Sequence, residues 1–132
     1  MDTIVKFLQD CKVFYVATAE NDQPRVRPFG AVCVYDGRLY IGTHNQKPVS
    51  KQMKTNPKIE ISAMSSDGGT WLRLTSEVIA HDCREARQAM LDAVPSIQGM
   101  YNADDGLFEV FYLQNASGSI CTFGGVPDVH TF

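Results

Sequence analysis

The chain has 132 residues, 44% of them hydrophobic and 20% charged, with a formal net charge of −3. This composition excludes a fibrous or disordered chain and suits one domain, residues 1–132, small enough that sharing a core with a second subunit would help it. The start "MDTIVKFLQD" lacks the basic and long apolar runs of a secretory signal, and no stretch is apolar enough for a membrane span. The expectation is therefore a cytoplasmic protein that meets no membrane.

In chain order, "DTIVKFLQDC" sets Ile4, Phe7, Leu8 and Cys11 at the spacing of one helical face, predicting a short amphipathic helix over 2–11. "VFYVATA" is β-branched and aromatic, "ENDQP" is turn chemistry, and "RVRPFGAVCVY" reads as one extended run up to Asp36-Gly37. That dipeptide predicts a hairpin, because both central residues of a type I′ turn take positive φ, and "RLYIGT" is the return strand. Pro48 suits the first turn of a helix, which "NP" at 56–57 ends.

"KIEISAM" and "TWLRLTSEVIAH" alternate apolar and polar residues on either side of "SSDGG", predicting a second hairpin. Asp82 and Glu85 form a D-x-x-E box opening a helix from about 83 to 93, with Pro95 as its stop. "LFEVFYL" and "SICTF", joined across "QNASG", read as a last hairpin. The class expected is mainly β with peripheral helices, a small barrel or sandwich of six or so antiparallel strands.

Cys11, Cys33, Cys83 and Cys121 are irregularly spaced and His44, His81 and His130 are scattered, so free thiols and no metal site are expected. Charge carries more information. Residues 23–59 hold seven basic side chains (Arg25, Arg27, Arg38, Lys47, Lys51, Lys54, Lys58) against Asp36 alone. The segment is formally +6, and the remainder, with five basic and fourteen acidic residues, is −9.

Lys47, Lys51 and Lys54 share a helical face near a helix start, where they repel one another and oppose the helix dipole. An anion such as phosphate would reverse both penalties, whereas a solvated basic face would leave them in place. Arg25 and Arg27, on one face of the neighbouring strand, favour a site, and Thr43, Asn45, Gln46 and Ser50 add polar groups beside it. No GxxxxGK[ST] or GxGxxG loop is present, which excludes the usual triphosphate and dinucleotide sites. The segment also lacks the interleaved aromatics of a nucleic-acid platform, so no nucleic acid is expected as a partner.

Residues 23–63, "QPRVRPFGAVCVYDGRLYIGTHNQKPVSKQMKTNPKIEISA", combine an Arg-Pro strand, a hairpin, a "T.N" strand end, a Lys-bearing helix and an "NP" stop. This order resembles the pyridoxamine 5′-phosphate oxidase-like superfamily of FMN-binding split β-barrels. The likeness continues through "WLRLTSEV" and "MYNADDGLFEVFYLQNASGSI".

The resemblance implies a six-stranded antiparallel split β-barrel and a homodimer with FMN at the subunit interface. It also implies an FMN-dependent oxidoreductase acting on a small-molecule donor or acceptor through flavin N5, or else a redox-sensing FMN module. A related barrel holding deazaflavin or haem is a further alternative. Arg27, Pro28, Phe29 and Gly30 would lie beside the flavin ring, and Thr43, His44, Asn45 and Gln46 against flavin or ribityl groups. Lys47, Ser50 and Lys51 would take the phosphate, with Arg25 serving it instead of, or together with, Arg27. Trp71, Phe123 and the last residues are candidates to reach a partner's flavin. The Arg-x-His element of the true pyridoxamine phosphate oxidases is missing. The resemblance is therefore closer to the short nitroimidazole-resistance flavoproteins, and vitamin B6 oxidation is not expected.

Overall fold

In the computed structural model, which describes residues 1–132, the alternating strands build one antiparallel sheet. The elements are α1 (Asp2–Cys11), β1 (Phe14–Glu20), β2 (Gln23–Phe29), β3 (Val32–Tyr35), β4 (Arg38–His44), α2 (Pro48–Thr55) and β5 (Lys58–Met64). They continue with β6 (Thr70–Ala80), α3 (Arg84–Ala93), a 3-10 turn at Pro95–Ile97, β7 (Phe108–Thr122) and β8 (Asp128–Thr131). The strand order is β2-β1-β5-β6-β7-β4-β3, with β8 paired to β7 beside that path. This is a mainly β split barrel with three helices, and its sheet stays open.

Eight strands stand where six or so were expected. "RVRPFGAVCVY" is two strands, because Phe29 ends the pairing with β1 opposite Phe14 and Val32 begins pairing with β4 opposite Ile41. Residues 30 and 31 thus carry the chain from one edge of the sheet to the other. The tail adds β8, whose Thr131 lies opposite Ser117, and Phe132 exchanges backbone hydrogen bonds of 2.7 and 2.9 Å with Ala116.

The hairpin expected at "QNASG" does not form. β7 runs unbroken for 15 residues, and its turn-favouring residues instead form a β-bulge opposite the Thr75–Glu77 step of β6. Asn115 supplies the positive φ (51°) of the bulge, and Ser76 Oγ donates to Gln114 O at 2.9 Å. The D-x-x-E box also gives way: Cys83 is the N-cap of α3, and Asp82 accepts from Arg87 Nη1 at 2.6 Å instead. The Asp36-Gly37 turn is as expected, with φ of 48° and 73° between paired Tyr35 and Arg38.

α1 lays Ile4, Val5 and Leu8 into the main core, against Phe14, Val16, Ile61, Leu72 and Leu74 from the inward faces of the strands. Full burial of Ile4 and Leu8 stabilises the fold by about 1.5–3 kcal/mol each. The helix can sit this close because residue 118 is glycine: a Cβ there would lie 2.8 Å from Ile4 Cδ1. α3 closes a second core, packing Ala86, Met90 and Leu91 on Cys33, Tyr40, Phe108 and Val110. The β4 end and the α2 start sit beside this second core and share Phe108 with it.

Candidate functional site

Lys47 is the N-cap of α2, Pro48 its first residue, and no side chain caps its free N–H groups. Beside that helix start, a cleft of about 400 Å3 opens between the β2–β3 crossing, the end of β4 and residues 96–101. Arg27, Pro28, Phe29, Gly30, Thr43 and Lys47 line it, and all six were candidates from sequence. Val49, Ile97, Met100, Tyr101 and Phe108 make it apolar and aromatic, with Tyr101 stacked on Phe108 at 5.0 Å between ring centroids. Gly42 is required here: a Cβ would sit 2.9 Å from Phe108 Cζ and 3.3 Å from Ala31 Cβ.

The electrostatics are one-sided. Lys12, Arg27 and Lys47 are the charged residues of the lining, and no carboxylate joins them. Arg27 is held rigidly: Nη1 donates to Thr18 Oγ1 at 2.8 Å and to Val16 O at 3.2 Å, and Nη2 donates to Gln52 Oε1. Burial, with Arg25 nearby, pushes its guanidinium below its ordinary value. A neighbouring open cleft of about 670 Å3 shares Arg27, Pro28, Lys47 and Val49 and adds Arg25, whose Nη2 pairs with Glu20 Oε1 at 3.2 Å.

The other candidates lie elsewhere. His44 packs its ring 5.9 Å from Tyr101, at the edge of the first cleft. Asn45 Nδ2 donates to Gly106 O at 2.8 Å, and Asn45 Oδ1 accepts from Gln46 Nε2 at 3.1 Å. Asn45 lines a third cleft of about 590 Å3 on the far side of Phe108, with His81, Arg87 and Glu109. Ser50 is buried with its hydroxyl on Glu109, and exposed Lys51 lines neither of the two basic clefts. Trp71 packs against Phe123 at 4.9 Å, far along the sheet from the β4 end.

Sequence reasoning passed over Lys12, Tyr101 and Glu109. Tyr101 stands just before the polar "NADDG" turn, and an aromatic at a loop edge was the available signal. Asp105 shapes that loop. Burial pushes its carboxyl up, but hydrogen bonds from the N–H groups of Phe108, Leu107 and Asn102 overcome this and hold it below its ordinary value.

The open split barrel is the fold of pyridoxamine 5′-phosphate oxidase-like proteins. Residues 1–114 match the family model described as Pyridoxamine 5′-phosphate oxidase, and the chain belongs to that family. It is similar to a NimC/NimA family protein from Clostridium acetobutylicum, at 50% identity and TM-score 0.95, over 100% of this chain and 92% of that one. A FAD-binding protein from Mesorhizobium loti shares the fold at 17% identity and TM-score 0.65, covering 89% of this chain and 91% of that one. So does a heme binding protein from Mycobacterium smegmatis, at 20% identity and TM-score 0.70, covering 95% of this chain and 55% of that one. No curated protein sequence matches the chain. No helix is long and apolar enough to cross a membrane.

Proposed function

We propose that the chain binds FMN in the cleft beside Phe29 and Phe108 and serves as an FMN-dependent oxidoreductase for a small molecule. One observation carries this reading: three cations and no acid face a cleft whose remaining walls are apolar and aromatic. A planar aromatic ligand ending in an anion matches both halves of that lining. Lys47 and Arg27 would take the phosphate, Phe29, Tyr101 and Phe108 would flank the ring, and Thr43 would offer a hydroxyl. Ser50, hydrogen-bonded to Glu109, would hold α2 in place behind the phosphate rather than touch it, and Lys51 lines neither basic cleft. When bound, the flavin supplies the redox chemistry, and the side chains orient it and exclude water from its faces.

A different part of the molecule, the outer face of the sheet, supports a homodimer. By register, Tyr15, Val26, Met64, Trp71 and Val129 share the outward face of the sheet, and four of them are largely exposed. A second copy laid on this face would cover them. The basic segment is a poor nucleic-acid surface, because Arg25 is paired with Glu20 and Lys54 with Glu109.

The deciding experiment is the visible spectrum of freshly purified protein with identification of any released chromophore. Two flavin bands and released FMN are expected, and sedimentation of the same sample should give a dimer. A haem band, or a colourless protein that takes up no added FMN, would overturn the reading. Bleaching of the bound flavin by reduced nicotinamide, with recovery on adding an acceptor, would separate an enzyme from a redox-sensing module.

A further inference from the structure

Lys12 has φ 66° and ψ −42°, and Val13 N donates to Cys11 O at 2.7 Å. This is a three-residue γ-turn with positive φ, rare and strained for any residue that carries a Cβ. Part of its purpose is local: Lys12 N–H ends α1 by donating to Leu8 O at 3.1 Å and Gln9 O at 3.3 Å. A glycine would do that without strain. A lysine near a helix C-terminus also favours the dipole. One turn earlier on α1 it would do so in a relaxed conformation.

The side chain accounts for what the backbone does not. Lys12 lines the cleft together with Arg27 and Lys47, with no carboxylate among the lining residues. It stands apart from the other two cations, which also border the neighbouring cleft, as Lys12 does not. Its own carbonyl lies against Gly30, 3.5 Å from where a Cβ would be. On β2 and the crossing that follows, Gly30 is three residues beyond Arg27, about 10 Å along extended chain.

Resting on the reading of this cleft as an FMN site, we propose that Lys12 is a cofactor-binding residue at the ring end, opposite the phosphate end at Arg27 and Lys47. Its ammonium favours the negative charge that the ring keeps after gaining two electrons and one proton. The strained turn is what aims it there.

The test uses Lys12→Gly and Lys12→Asn, both tolerant of positive φ, with Lys12→Arg as the charge-keeping control. FMN and riboflavin are titrated separately by fluorescence. Midpoint potentials are measured by dithionite titration against a reference dye, and thermal unfolding is followed without flavin. Both neutral variants should unfold at or above the wild-type temperature. They should bind FMN and riboflavin more weakly to the same extent. They should also lose about tenfold more affinity for the reduced than for the oxidised ring, lowering the potential by about 30 mV, the two-electron equivalent of tenfold. Lys12→Arg should restore both.

Wild-type affinity and potential in both neutral variants would overturn the proposal while leaving the cleft as the FMN site. A loss confined to FMN, with riboflavin unaffected, would put Lys12 at the phosphate and overturn the ring-end assignment. Wild-type protein that takes up neither flavin would overturn the reading of the cleft, and the Lys12 proposal with it.

Discussion

Ser50 Oγ donates a 2.5 Å hydrogen bond to Glu109 Oε1, tying α2 to β7 from inside the fold. Lys54 Nζ lies 2.5 Å from the other oxygen of the same carboxylate, whose side chain is 17% exposed. One of the lysines that looked like a ligand-binding row is therefore neutralised by the protein itself. Glu109→Ala would leave Ser50 unpaired and α2 loosely attached, at a cost of about 1–3 kcal/mol in urea unfolding. Glu109→Gln, which keeps an acceptor for Ser50, should lose less. Equal losses for the two variants would show that the hydrogen bond is not the important part.

Lys47 has no such internal partner and faces the cleft at the start of α2. Lys47→Ala should weaken FMN binding by about 1.5–3 kcal/mol, the scale of a hydrogen bond to a charged group, and weaken riboflavin binding far less. FMN affinity of the wild type should also fall with added salt, and the variant's should fall less steeply. Equal loss for both flavins in a fluorescence titration would move the phosphate away from Lys47.

Arg27 links β2, β1 and α2 through Thr18 and Gln52. Arg27→Ala would remove the donors that tie the buried Thr18–Gln52 pair to β2, although the pair keeps its own 2.7 Å hydrogen bond, and would lose a cleft cation as well. Both unfolding stability and FMN affinity should therefore drop, stability by about 1–3 kcal/mol. Arg27→Lys keeps the charge but not the planar fork, so it should recover affinity better than stability. The opposite ranking in paired urea and FMN titrations would refute this account.

Gly42→Ala would place a methyl 2.9 Å from Phe108 Cζ, so the ring or the strand must shift. The overpacking should cost about 1–3 kcal/mol, and FMN affinity should fall as Phe108 is displaced from the cleft wall. An alanine variant with unchanged denaturation midpoint and affinity would mean that the ring moves freely.

Asp105 has its folded-state pKa held below its ordinary value of 3.8. Its ionised form therefore adds stability that is fully present well above about pH 4 and is lost as pH falls through that value toward the folded one. Asp105→Asn removes this contribution, so its stability should fall less steeply than the wild type's between about pH 5 and 3. Parallel acid-unfolding curves would show that the loop does not depend on this carboxylate.

Cys33 is buried beside Tyr40 and α3, and burial pushes its thiol up to about 12. At pH 8 it should resist alkylation in the folded protein and react once the protein is unfolded. Mass mapping of the labelled residue is the measurement, and rapid labelling of Cys33 under native conditions would contradict the packing described.

The fold was legible where the chemistry is local. Alternation marked the strands, Asp36-Gly37 marked its hairpin through two positive φ angles, and Pro48 with Asn56-Pro57 bounded α2. "QNASG" misled because turn-favouring residues also suit a bulge, and the choice depends on whether β6 lies alongside to keep pairing. The division at Gly30 was hidden for the same reason: each half of that run is a good strand, and the partners decide the break.

Composition and order alone determined the mainly β class and concentrated the positive charge in residues 23–59, because strand alternation and side-chain charge are properties of the chain itself. Which cations share a cleft was decided only in three dimensions. Lys54 is taken up by Glu109, 55 positions along the chain, and Arg25 by Glu20, while Lys12, outside the basic segment, joins Arg27 and Lys47. Coulomb interaction depends on distance in space, and only the folded sheet sets which charges meet.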